Sequence, residues 1–500
     1  MKRALLVNWD NYPNVASGGI YTWAKSLVES MPDWEFVLFN QLSNPNANAK
    51  YTVPSNVRQV IKLPIFGTNR LEEYYKDGKP FLQKLRITTN SAIRDDFLPL
   101  FKEFLEQVFA NDCDPQRLAR LIYELHVFLR VHDAKKCFES YLTWEVFLQQ
   151  VQSDPLYRQM QLREALANFH ALQRSLQILS IDLPKVDIIH CSLAWLPAMV
   201  AIPAKMENNS PLLVTEHGVA FRELVLYYNA YLYNEPSKIF WTTFTRNVVR
   251  TIYAFADRIT PVCRANEAWE ISLGVEKTKI QVIYNGIDAN RFRPMDLVRD
   301  RRPTVVSVAR ISVFKDIINL IQAVDYARAS IGNIQCLLYG SSTEPEYSSR
   351  CADLIRSLKL EDNFKLMGGT DEPEKAYNLA DVVAFSSITE GFPFGVIEAM
   401  ACGKAVVATD VGGVGEALEG CGLLVRSRSP RDLANGIVTL LSNEPLRRIY
   451  EVAAFNRTKE EFSLENEVQQ YRELYRQLTD KNASKPPQPA QMRTANWGAS

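Results

Sequence analysis

Two carboxylates and two cations lie where the chain could grip a charged ligand. Glu390 and Glu398 bracket the run EGFPFGVIE, which continues as AMACGKAVVATDVGGVGE. The apolar run VVAFSS leads into this loop, and a helix opens near Phe394. Backbone N–H groups at a helix N-terminus favour an anion such as phosphate. Glu390 precedes that turn and Glu398 lies inside the helix, so the pair can flank one ligand from different sides. A surface turn would explain Glu390-Gly391 alone, but not the whole run. Arg310 and Lys315, in SVARISVFKD, follow another apolar run. In open α/β sheets ligands bind at that end of a strand. An arginine fork and a lysine point charge across one loop can hold a diphosphate, although alone they would read as surface charges. Gly18-Gly19 follows the first apolar run, and His217 follows another in PLLVTEHG.

Alternating strands and helices must position these groups. KRALLVNW (2–9) and WEFVLFN (34–40) flank a segment in which Ile20, Trp23, Ala24, Leu27, Val28 and Met31 fall at helical spacing. This is the opening of a parallel sheet. From about 70 to 180 the rhythm breaks into amphipathic runs such as FLPLFKEFLEQVFA and RLARLIYELHVFLRV, a helical insertion that could cover a substrate cleft or form an interface. DIIHCS, PLLVTEHG, RITPVC and IQVIYNG then read as strands. A second series begins at TVVSVAR (304–310) and runs through IQCLLYG, NFKLMG, VVAFSS, AVVAT and LLVRS. The predicted organisation is α/β, with two doubly wound domains facing across a cleft. Residues 1–295 form the first, 296–455 the second, 456–480 a helix crossing back, and 481–500 a polar, Pro-rich disordered tail.

Composition narrows the function. The 500 residues are 47% hydrophobic and 23% charged, which excludes a fibrous or mainly disordered chain. Lys+Arg and Asp+Glu both number 57, so there is no basic footprint for nucleic acid. Leu193 to Ala204, the best candidate span, is short of the ~20 residues a bilayer needs and holds two prolines. The N-terminus reads as a strand, and the eight scattered cysteines as packed thiols of a cytoplasmic protein.

Other signals point to packing. Asp112-Cys113-Asp114 matches a D-x-D metal pattern, but Pro115 and a helical run follow, so Asp114 fits a helix N-cap. His190 reads as a packed or hydrogen-bonded histidine, and His126, His132 and His170 as solvent or packing residues of the insertion. Tyr227, Tyr228, Tyr231 and Tyr233 with Phe240 and Trp241 fit helix packing better than a polysaccharide groove. No G-x-G-x-x-G follows the first strand, against a dinucleotide oxidoreductase.

Taken in order, Gly18-Gly19, His217, Asn285-Gly286-Ile287-Asp288, Arg310 with Lys315, and Glu390-x7-Glu398 resemble family 4 of the retaining glycosyltransferases. YPNVASGGIYTWAKSLV, the long insertion and LLVTEHGVAFRE are similar to its PelF branch, associated with bacterial exopolysaccharide synthesis. The resemblance covers most of 1–480 except the insertion, and implies the GT-B fold, two Rossmann-like domains. It implies that Arg310 and Lys315 hold a donor diphosphate, Glu398 the ribose, and Glu390 the transferred sugar's hydroxyls. Phe394, Gly395, Val396 and Ile397 would meet sugar and phosphate through their backbone, and Lys365 and Met367 would lie where the base packs. Gly19 would let the backbone approach the donor phosphate, Gly18 and Asn285 would lie on the acceptor side, and His217 beside the reacting carbon. Catalytic roles thus fall to His217 and Glu390. Asp316, where the family often has Gly, and Tyr339-Gly340-Ser341-Ser342, in place of a Gly-rich turn, depart from the pattern and leave the nucleotide base open.

The implied reaction moves a hexose, with retention and without a metal or other cofactor, from a nucleotide-diphosphate sugar to a glycan or lipid-linked acceptor. UDP-glucose or another UDP-hexose is the default donor. Same-face attack is favoured over a covalent carboxylate intermediate, because strand alternation turns Glu216 away from His217. A phosphorylase or nucleotide-sugar epimerase on the same scaffold is one alternative. A non-catalytic nucleotide-sugar-binding subunit of a membrane-associated synthase complex, peripheral at the inner face, is another.

Overall fold

The computed structural model describes residues 1–14, 18–47, 52–67, 70–75, 79–232, 234–342 and 344–483. Val15–Ser17 of the glycine loop, Tyr233 and the tail beyond Ala483 lie outside the described residues. The chain divides into two compact units: Met1–Pro261, Ala268–Gln281 and Tyr471–Ser500 form the first, Val262–Glu267 and Val282–Gln470 the second. The switch at 281/282 precedes the expected boundary at 295, so Asn285 to Asp288 belong to the second unit. The helix Leu464–Ala483 runs three residues into the stretch expected as a tail.

The first unit is built on β1 (Lys2–Trp9), β2 (Trp34–Leu42), β3 (Val57–Pro64), β4 (Ile188–Cys191), β5 (Leu212–Glu216) and β6 (Arg258–Pro261). All pair in parallel, in the order β3-β2-β1-β4-β5-β6. The order reverses between β1 and β4, the place where doubly wound sheets open a binding crevice. Ala4 to Val7 of β1 and the whole of β5 are fully buried, which is why ALLV and LLV read as unbroken apolar runs. The insertion between β3 and β4 is helical, with its longest members at Leu98–Val108, Pro115–Leu129, Tyr141–Ser153 and Leu162–Leu176. Phe97, Phe101, Phe128 and Phe138 interlock at its centre, and its core is continuous with that of the sheet.

The second unit holds β7 (Thr304–Val308), β8 (Gln335–Tyr339), β9 (Phe364–Gly368), β10 (Val382–Phe385), β11 (Ala405–Thr409) and β12 (Leu423–Val425). These too are parallel, ordered β12-β11-β10-β7-β8-β9, with the reversal between β10 and β7.

Two strand readings change. β3, VRQVIKLP, is not among the predicted strands, because exposed Arg58 and Gln59 break its apolar pattern at the sheet edge. IQVIYNG, predicted as a strand, carries a single bridge at its first residue, Ile280 to Ile259, and another just past its last, Ile287 to Ser463. Those partners belong to different units, so no neighbour runs alongside to complete a ladder.

Candidate functional site

In the second unit the predicted phosphate-side groups collect at the sheet's reversal point. Arg310 follows β7, is exposed, and has no ion pair or hydrogen bond from its side chain among the described residues. Lys315 closes the short 3-10 turn Val313–Lys315, and its Nζ pairs with Glu390 Oε1 in the loop after β10. Ser387 Oγ donates to the same oxygen at 2.6 Å, while Ser386 Oγ donates to the Lys315 carbonyl at 2.8 Å. The tips of β7 and β10, neighbours in the sheet, are thereby tied together.

The helix Phe394–Ala401 starts directly after this loop, with Pro393 ahead of its first turn. Phe394 and Gly395 are partly exposed, and Val396 and Ile397 turn into the core. A Cβ on Gly395 would stand 3.0 Å from the Phe385 ring, so the residue lets the helix approach β10 closely. Glu398 accepts from Tyr377 Oη at 3.0 Å. Burial pushes its carboxyl up to about 7, partly opposed by that hydroxyl.

The GGVGE segment braces the same loop. Gly412 has φ +56°, and a Cβ there would lie 1.9 Å from the Glu390 carbonyl oxygen. Gly413 N–H donates to Gly391 O at 2.7 Å. Glu416 accepts from the N–H of Arg264 (2.8 Å) and Ala265 (2.6 Å) and from Tyr284 Oη (3.1 Å), a structural carboxylate.

Both departures from the family pattern have a geometry. Asp316 adopts φ +46°, ψ +55°, the left-handed conformation a glycine would take, which Asp tolerates better than most residues. Gly340 keeps the glycine where it is needed, since a Cβ would meet Ala309 O at 1.9 Å. Lys365 and Met367 lie exposed on edge strand β9. Asn285, expected on the acceptor side, donates Nδ2 to Phe392 O at 3.0 Å within the second unit. Its neighbour Gly286 donates its N–H to buried Glu467 at 2.8 Å. This stretch thus anchors the second unit's own loops.

In the first unit Gly18, with φ +95°, caps the helix Gly19–Glu29 that follows β1. Trp23, one turn on, meets the His217 ring edge-on at 4.5 Å between centroids. Burial lowers His217 to about 3, so its imidazole is neutral at physiological pH. His217 Nε2 and Trp23 Nε1 are both buried without a hydrogen-bond partner among the described residues. Glu216 is engaged elsewhere, accepting from Tyr253 Oη (2.8 Å), Ala194 N–H (3.1 Å) and Ala220 N–H (3.2 Å). Desolvation raises it to about 8.

His190 is the packed histidine expected. Its Nδ1 meets Tyr475 Oη and its Nε2 meets Thr215 Oγ1, each at 2.7 Å. Thr215 also reaches Thr260 (2.7 Å) and Tyr471 Oη (3.1 Å). Sequence reasoning missed this network, whose only local signal is the four-residue spacing of Tyr471 and Tyr475 on one helical face. It also missed Trp23, Ser387 and Tyr377, which hold the predicted groups in place. Asp114 caps its helix by accepting from Gln116 N–H at 2.9 Å. All eight cysteines are free and buried. Among the described residues no helix is long and apolar enough to cross a membrane.

Residues 4–278 match the family described as "Domain of unknown function (DUF3492)", and residues 288–457 that described as "Glycosyl transferases group 1". A curated relative in Campylobacter jejuni, N-acetylgalactosamine-N,N'-diacetylbacillosaminyl-diphospho-undecaprenol 4-alpha-N-acetylgalactosaminyltransferase, is 29% identical over 218 residues. That match covers 42% of this chain, and the chain spans 58% of the relative's length. The solved sucrose-phosphate synthase of Thermosynechococcus elongatus superposes with a TM-score of 0.62 at 21% identity, covering 96% of this chain and 100% of that one. Anabaena HepE, solved with UDP, gives 0.58 at 17%, covering 95% and 100%. At such identities the likeness establishes the fold, which is the expected GT-B α/β fold.

Proposed function

We propose a function from one premise: the chain belongs to the DUF3492 family, and its C-terminal half carries a glycosyltransferase group 1 domain. The chain transfers a hexosyl group from a nucleotide-diphosphate sugar to a glycan or lipid-linked acceptor, with retention at the anomeric carbon. The observation that carries the reading is the group gathered where β7 and β10 end: Arg310, unpaired among the described residues, the Lys315–Glu390 pair and the first turn of the helix Phe394–Ala401. As the glycosidic bond breaks, negative charge builds on the leaving diphosphate. Fixed cations and helix N–H groups aimed there stabilise it, commonly the largest catalytic contribution. With those charges in place the departure needs no divalent metal. Glu390 then exchanges part of its contact with Lys315 for the sugar's hydroxyls, and Glu398 takes the ribose.

The default donor is a UDP-hexose, a choice supported by the UDP and UDP-glucose bound in HepE. The test is a panel of UDP-, GDP- and ADP-sugars with the purified chain, reading thermal shift and donor hydrolysis with and without EDTA. One nucleotide should stabilise selectively, and its hydrolysis should survive EDTA. Lys315→Ala and Glu390→Ala should each lose turnover while staying folded. Wild-type turnover in either variant would overturn the site assignment, and no binding across the panel would overturn the reading itself.

A further inference from the structure

The helical insertion of the first unit carries a cavity for which the donor chemistry has no use. It measures about 440 Å³ and lies among the helices Ala134–Phe138, Tyr141–Ser153 and Leu162–Leu176. That volume falls in the range of pockets that hold small ligands. One wall is aromatic. Phe138 and Phe169 are buried, while Trp144 is half-buried with its ring edge-on to Phe169, centroids 5.3 Å apart. Phe147 stacks on the same indole at 5.8 Å, so the ring is held from two sides. A fixed indole offers a flat apolar face with little conformational entropy left to lose, which suits the C–H face of a sugar ring.

The other wall is polar and unevenly charged. Lys135 is matched by Glu139 at 3.8 Å. Arg174 is half-buried and has no carboxylate partner among the described residues; its guanidinium lies 5.5 Å from the centre of the Phe66 ring. Gln173 donates Nε2 to Phe138 O at 2.6 Å, which fixes its amide and leaves Oε1 to accept from a hydroxyl. The cavity therefore combines a flat ring, a fixed acceptor and one uncompensated guanidinium fork.

We propose that this cavity is a second saccharide site, selective for a sugar ring bearing a carboxylate. The ring stacks on Trp144, the carboxylate takes the Arg174 fork in a bidentate pair, and a hydroxyl donates to Gln173. A neutral saccharide keeps the stacking and loses the charge-assisted pair, so it binds more weakly. The inference stands apart from the donor reading, because none of these residues belongs to the β7–β10 group.

The test is calorimetric titration of the full chain with trigalacturonic acid, with maltotriose as the neutral control and UDP as a separate titrant. Trigalacturonate should bind about tenfold or more tighter than maltotriose, the step expected for one charge-assisted pair. Arg174→Gln should abolish that preference, and Trp144→Ala should weaken both saccharides. UDP binding should not change in either variant. Arg174 is partly exposed, so its variant folds and keeps the test decisive even if Trp144→Ala does not. No binding of trigalacturonate, equal binding of maltotriose, or an unchanged preference in Arg174→Gln would each overturn the proposal.

Discussion

Gly412 offers the sharpest test of how the candidate site is held. It and Gly420 both have left-handed φ, +56° and +72°. An alanine at either position pays about 1–2 kcal/mol for that conformation. Only at Gly412 does the new Cβ also strike something, the Glu390 carbonyl oxygen at 1.9 Å, with Gly391 O at 3.1 Å. At Gly420 nothing lies within 4 Å. The obstruction at Gly412 is backbone and cannot rotate away, so overpacking adds about 1–3 kcal/mol. Gly412→Ala should therefore unfold earlier than Gly420→Ala by roughly 2–12 °C, at about 2–4 °C per kcal/mol for a unit of this size. The displaced backbone belongs to Glu390 itself, whose carboxylate is set by Lys315 and Ser387. Donor hydrolysis should accordingly fall about tenfold or more in Gly412→Ala and stay near wild type in Gly420→Ala. Thermal unfolding and hydrolysis measured on the two variants side by side decide the matter. Equal melting temperatures with equal turnover would refute the idea that GGVGE serves as a close-approach brace.

Three other outcomes follow from the geometry. Asp316→Gly should hold or raise stability by up to about 1 kcal/mol, since relief of the φ +46° strain outweighs the added chain entropy, and a lowered urea midpoint would contradict it. Tyr475→Phe should cost about 1 kcal/mol, and a double-mutant cycle with Thr215→Val should show coupling, because both hydroxyls meet His190 at 2.7 Å; additive losses would separate them. Burial raises Glu467 from 4.5 to about 8, so between those pH values the folded chain binds a proton that the unfolded chain does not, and stability falls as pH rises through that window. The urea midpoint of Glu467→Gln should therefore fall less than that of wild type between pH 5 and pH 9, and parallel slopes would show that Glu467 is not the group concerned.

What the sequence made legible was mostly local. Buried parallel strands are continuous apolar runs, so ALLV in β1 and AVVAT in β11 announce themselves. The 3.6-residue rhythm marked the helical insertion, and Asp114-Pro115 marked one of its helix starts. Glu390, Lys315 and the helix at Phe394 could be assembled because strand ends in doubly wound sheets share one edge. Long-range partners were not legible. Nothing near His190 foretells that Tyr475 would bond to its ring, and nothing near Glu398 names Tyr377. IQVIYNG failed for the same reason in reverse: its apolar pattern is strand-like, but a strand also needs a neighbour, and the fold supplies none. Asp316 hid a glycine-like turn behind a residue other than glycine, and only its φ reveals it.

His190, fully buried, and the half-buried His217 both set their rings edge-on to Trp23. Burial lowers both to about 3, so both are neutral, and the rings differ in what meets their nitrogens. His190 has both nitrogens satisfied, by Tyr475 and Thr215, and can give nothing to a ligand without losing one of those bonds. Among the described residues His217 Nε2 is buried with no partner, beside the equally unpartnered Trp23 Nε1. An unsatisfied buried polar atom costs about 1–3 kcal/mol. The fold that satisfies every nitrogen of one histidine leaves that cost standing at its neighbour. A hydroxyl placed within reach of Nε2 would recover it. Of the two, His217 is thus the ring with a hydrogen bond left to make, and the difference lies in hydrogen bonding, since the charge states are the same.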